Sequence, residues 1–122
     1  MPMRTALVVD DHAGFRAQAR KLLERAGFLL IGEAAGGKSA LAIALAARPD
    51  LVLLDVQLPD MSGFDVAVRL RNEGAPSSEI VLVSSREAAA YGAQIERCGA
   101  TGFIWKGDLT VARLTELVGG PG

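Results

Sequence analysis

Five short runs of the chain are apolar at nearly every position: residues 5–9, 28–31, 51–54, 80–83 and 103–105. None alternates apolar with polar, so none reads as a strand with one wet face. Unbroken runs of this length suit strands covered on both sides, as in a parallel sheet. Between them, apolar residues recur at helical spacing. Phe15, Ala19, Leu22, Leu23 and Ala26 form one stripe, and Leu41, Ala44 and Leu45 a second. Val66, Val68 and Leu70 mark a third helix, Tyr91, Ile95 and Cys98 a fourth, and Leu114, Leu117 and Val118 a fifth. Gly27, Gly74 and Gly99 follow three of these segments, where a left-handed C-terminal residue favours glycine. Asp108 is placed to cap the last helix.

The order βαβαβαβαβα predicts an α/β fold, in which right-handed crossovers give a parallel sheet with helices on both faces. A length of 122 residues fits one domain, expected over residues 1–118. Residues 119–122, Gly-Gly-Pro-Gly, read as a flexible tail or the start of a linker. Thirteen basic against fourteen acidic residues leave a net charge of -1, so nothing here holds a polyanion without regard to sequence. A single cysteine excludes an internal disulfide and suits a reducing compartment. The apolar run near the start is too short for a signal peptide, and none approaches the roughly 18 residues that span a membrane. The expectation is a cytoplasmic domain with no membrane partner.

In open α/β sheets, ligands bind beyond the carboxyl ends of the strands. Asp10 and Asp11 follow the first strand, Asp55 ends the third, Ser84 and Ser85 the fourth, and Lys106 the fifth. Three carboxylates gathered at one edge repel each other, and without a cation at least one is harder to ionise. Hard oxygen donors with few protein contacts suit Mg²⁺. An aspartate can also attack phosphorus to form an acyl phosphate, with a metal and an ammonium countering charge on the equatorial oxygens. A hydroxyl can donate to a remaining oxygen.

At this point the chain resembles the receiver domain of two-component response regulators over nearly its whole length. The matching residues are Val9-Asp10-Asp11-His12, Leu54-Asp55-Val56-Gln57-Leu58-Pro59-Asp60-Met61-Ser62-Gly63, Val83-Ser84-Ser85 and Gly99-Ala100-Thr101-Gly102-Phe103-Ile104-Trp105-Lys106. The resemblance implies a (βα)5 flavodoxin-like fold of three layers, its five-stranded sheet ordered 2-1-3-4-5. It implies Asp55 as phosphoacceptor, Mg²⁺ held by Asp11 and Asp55, by Asp10 through water and by the backbone carbonyl of Gln57. Lys106 and Ser84 would contact the phosphoryl group, and Ser84 with Phe103 would form the switch. A sensor histidine kinase would supply the phosphoryl group, and a second copy or an output partner would read the result. The chain would be no enzyme beyond taking up and losing its own phosphoryl group.

Gly107 stands where many members have proline, and with Asp10-Asp11-His12 it resembles the nitrate-regulator subgroup. Gln57 and Arg86 occupy positions that tune dephosphorylation in the family.

Two other readings compete. Gly32-Glu33-Ala34-Ala35-Gly36-Gly37-Lys38-Ser39 fits a phosphate-binding loop letter for letter, between a strand and a helix. It would make the chain a small nucleotide-binding protein, but it leaves Asp10, Asp11 and Lys106 without roles, and Glu33 and Ala34 extend the strand instead. The other is an interaction domain that keeps the fold without phosphorylation; intact Asp11, Asp55, Ser84 and Lys106 argue against it. His12 reads as a rim residue, Cys98 as helix packing, and Trp105 as either packing or a docking residue.

Overall fold

The computed structural model describes residues 3–73 and 77–119. Its elements run β1 (Arg4–Val9), α1 (Ala13–Arg25), β2 (Phe28–Ala34), α2 (Gly37–Ala47), β3 (Leu51–Asp55), α3 (Gly63–Glu73), β4 (Glu79–Ser84), α4 (Gln94–Arg97), β5 (Gly102–Trp105) and α5 (Val111–Val118). The strands pair in parallel in the order β2-β1-β3-β4-β5. All five anticipated strands are present, each extended by one to three residues.

The unbroken apolar runs have the expected cause. Every residue of β3 is buried, and its side chains alternate between two cores. Val52 and Leu54 pack with Ala40, Ala44, Val66 and Leu70 on the side of α2 and α3. Leu51 and Leu53 pack with Ala19, Leu23 and Leu114 on the side of α1 and α5. Burying a leucine or valine fully contributes about 1.5–3 kcal/mol, so this central strand anchors both layers.

The helices differ in detail from the pattern. Leu45 and Val68 are exposed; Ala40 and Ala44 line the buried face of α2, and Val66, Ala67 and Leu70 that of α3. The fourth helix shrinks to Gln94–Arg97, preceded by a 3₁₀ turn at Ala88–Ala90. Alanines 88–90 bring no large apolar side chain to the sheet, and Gly92 interrupts the helix with φ +58°. Asp108 does not cap α5. A 3₁₀ turn over Lys106–Asp108 delays the helix, and Thr110 caps it instead, its hydroxyl accepting from the Arg113 amide at 3.1 Å. Gly27 and Gly99 do take left-handed φ values of 92° and 80° after their helices. Gly74 lies outside the described residues, as does all of the expected tail except Gly119.

No described helix is long and apolar enough to cross a membrane.

Candidate functional site

Parallel pairing brings the polar strand ends to one edge. Val9 pairs with Leu54, so Asp10 and Asp55 are the next residues out on adjacent strands, and Ser84 pairs with Trp105, directly before Lys106. Asp10 is fully buried, and Asp55 and Ser84 nearly so. The Nζ of Lys106 donates to Asp10 Oδ2 at 2.6 Å and lies 3.7 Å from Asp55 Oδ2. Asp10 Oδ1 accepts from the His12 amide at 2.8 Å, so both oxygens of Asp10 are engaged. Its backbone carbonyl is fixed by the Arg16 guanidinium at 2.7 Å.

Asp55 sits at the centre of the electrostatics. Burial, then the neighbouring Asp10 charge, pushes its carboxyl up to about 6, against the pull of Lys106 and a 3.4 Å bond from the Gln57 amide. Carboxylate crowding was foreseen from the residue types; the larger cause is desolvation. Replacing Lys106 with methionine removes a neighbouring ammonium, so Asp55 in the metal-free protein should titrate still higher. Carbon-13 NMR of the aspartate carboxyls reads this directly, and an unchanged or lower midpoint would show that Lys106 does not reach Asp55.

Asp11 is exposed, and His12 Nδ1 lies 3.0 Å from Asp11 Oδ1 and 3.2 Å from Asp10 Oδ1. His12 is thus at the rim, as expected, but touches both carboxylates. Asp10 and Asp55 share the one ammonium of Lys106, and the exposed Asp11 adds a third carboxylate whose charge acts on Asp55, which leaves an oxygen-rich mouth. That donor set fits a hard divalent cation such as Mg²⁺, which needs only one or two carboxylates plus water.

Three contributors were not anticipated from the pattern. Phe15, read only as part of a helical stripe, holds its ring 4.3 Å from Lys106 Nζ, a cation–π contact that helps fix the ammonium. Tyr91 donates to or accepts from Ser84 Oγ at 2.6 Å. Asp60 bonds through its two carboxylate oxygens to the amides of Gly37 and Lys38, at 2.7 and 3.0 Å. This last contact bears on the nucleotide reading. The first amides of α2, which a bound phosphate would need, are taken by the chain's own carboxylate. Only Ala35 and Gly36 separate β2 from α2, and Glu33 and Ala34 belong to the strand.

Phe103 is partly buried against the α2–α3 core, its ring 5.9 Å from that of Tyr91. Gln57 is exposed on the loop between β3 and α3, which an isolated bridge between Gln57 and Ser62 closes. Ser85 accepts from the Trp105 indole at 3.0 Å through its backbone oxygen. The Trp105 ring folds over Gly107, where an added Cβ would come within 2.3 Å of it; a proline there would displace the tryptophan. Cys98 is buried, as a packing residue should be.

The family model for the response regulator receiver domain matches residues 6–118. The chain is 33% identical to the response regulator GacA of Pseudomonas aeruginosa over 95% of its own length and 52% of the relative's. It is 36% identical to a protein named "Probable transcriptional regulatory protein NarL" of Mycobacterium tuberculosis, over 96% of this chain and 54% of that protein. The solved signal receiver domain of NarL from that organism superposes with a TM-score of 0.82 at 33% identity, covering 94% of this chain and 93% of that one. The chain thus spans about half the length of these curated relatives.

Proposed function

The chain belongs to the response regulator receiver domain family, and from that premise we propose that a phosphoryl group on Asp55 operates its switch. The observation that carries this reading is a buried Asp55 carboxyl, raised to about 6, with the Lys106 ammonium 3.7 Å away. Near neutral pH most of that carboxyl is ionised and able to attack. As it bonds to phosphorus, the bond from phosphorus to the donor's leaving atom breaks, and the leaving group takes the electron pair. The donor is a phosphohistidine on a sensor histidine kinase. Lys106 meets the charge carried in on the phosphoryl oxygens. Bound Mg²⁺ would neutralise the equatorial oxygens. Asp11, Asp55 and the Gln57 carbonyl would hold it directly, and Asp10 through water, since both Asp10 oxygens already have donors.

The Ser84 hydroxyl then turns to a phosphoryl oxygen and Phe103 follows, so the population of surface conformations shifts. We assign the chain no chemistry beyond gaining and losing this group. The relatives named as transcription regulators suggest that a longer protein, a second copy or another output partner reads the shifted surface.

Incubation with Mg²⁺ and acetyl phosphate, followed by intact mass measurement, should add one phosphoryl group of about 80 Da to the protein and none to Asp55→Asn. No adduct on the wild type, together with no response to beryllofluoride, would leave an interaction domain that works without phosphorylation.

A further inference from the structure

Ser84 is 1% exposed, and its hydroxyl is already engaged. It accepts from the Arg86 amide at 3.0 Å and shares a 2.6 Å hydrogen bond with the Tyr91 hydroxyl. Tyr91 is held on both sides by rings: Phe64 edge-on at 5.3 Å and Phe103 at 5.9 Å. It is also the one residue between Ser85 and Gln94 that is not fully at the surface. That stretch holds a single 3₁₀ turn and a left-handed Gly92, with no buried side chain of its own. Tyr91 therefore pins a weakly anchored segment to the end of β4, and its hydroxyl bonds to the very atom the switch must move.

We infer that Tyr91 is a latch: its hydroxyl holds Ser84 in the unphosphorylated position and competes with the phosphoryl group for the Ser84 hydroxyl. The inference rests on Asp55 being the phosphoacceptor and adds a residue that sets the balance of the switch. In this latch Ser84 accepts from the Arg86 amide and gives its single proton to Tyr91, so donating that proton to a phosphoryl oxygen means leaving Tyr91. Any group that stabilises the unphosphorylated arrangement opposes phosphorylation by the same free energy. Release of Tyr91 would in turn loosen the segment from Ser85 to Gln94, which carries the change to the surface beside Trp105.

Tyr91→Phe removes only the hydroxyl and keeps the ring between Phe64 and Phe103. It should bind beryllofluoride about fivefold more tightly, the scale of one neutral hydrogen bond, and take up phosphoryl from acetyl phosphate correspondingly faster. In a Ser84→Ala background the same change should have no effect. The chain has one tyrosine, so tyrosine labelled with carbon-13 at Cζ gives a single NMR signal for that hydroxyl. The signal should shift when beryllofluoride binds the wild type, and stay put in Asp55→Asn. A wild type that responds to beryllofluoride while Tyr91→Phe matches its affinity, or while the tyrosine signal does not move, overturns the latch and leaves Asp55 phosphorylation standing. A wild type with no response overturns both.

Discussion

Asp55→Asn is expected to make the metal-free protein more stable at pH 8, by about 2 kcal/mol, although it abolishes the proposed phosphorylation. The reason lies in the cost of an ionised carboxylate buried beside Asp10 at the end of a central strand. The carboxyl titrates at about 6 in the folded protein against an ordinary value of 3.8. Its folded pKa is raised, so the unfolded chain loses the proton first as pH rises. Stability from this group is therefore fully present below pH ~4 and falls as pH climbs through ~6, then stays level. The gap sets a ceiling of about 3 kcal/mol, reduced because a neutral amide oxygen accepts more weakly than a carboxylate from the Lys106 ammonium and the Gln57 amide. Urea denaturation at a series of pH values should show wild-type stability declining between pH ~4 and ~7 on this account, with the decline missing from Asp55→Asn. Mg²⁺ should restore the wild type at pH 8 and do less for the variant, since a ligand that binds only the folded state stabilises it. Parallel pH profiles for the two proteins would show that Asp55 is not the group being strained.

The parts of the fold that could be read in advance are those with one physical cause. Residues 51–54 are apolar because both faces of β3 are buried. Asp10, Asp55, Ser84 and Lys106 lie along one edge because parallel strands end together, which needs only their positions in the runs. The 2-1-3-4-5 order came from family resemblance, since periodicity cannot say which strand neighbours which. What escaped depended on contacts between distant segments. Tyr91 falls on a helical spacing with Ile95 and Cys98, yet Gly92 breaks the helix there and the ring turns to Ser84. The letters of a phosphate loop at Gly32 to Ser39 were silent about Asp60, which lies 22 positions beyond Lys38 and fills the amides such a loop would offer. Asp108 looked like a cap because a 3₁₀ turn after Lys106 leaves no trace in hydrophobic spacing.

Gly63 was legible only as one letter of a motif, and the structure supplies its reason. It opens α3, and its amide donates to the Val56 carbonyl at 2.7 Å. A Cβ there would stand 2.2 Å from the Asp55 carbonyl oxygen and 2.9 Å from Val56 Cα. Both obstacles are backbone, so no side chain can swing aside. Either α3 lifts from the sheet or the end of β3 shifts, and the second choice moves Asp55 and the Gln57 carbonyl together. Gly63→Ala should therefore cost about 3 kcal/mol or more in chemical denaturation, at the upper end for overpacking because the clash is rigid. Phosphoryl uptake from acetyl phosphate should fall by more than about tenfold in whatever fraction stays folded, since a displaced nucleophile loses its alignment. Gly14→Ala is the control. Gly14 is also helical, in α1, but nothing lies within 4 Å of its would-be Cβ. There the gain in helix propensity should stabilise the protein by about 0.5–1 kcal/mol and leave phosphorylation alone. If the two alanines behave alike, helix propensity rather than the close approach of α3 to Asp55 governs Gly63, and the loop is looser than its geometry implies.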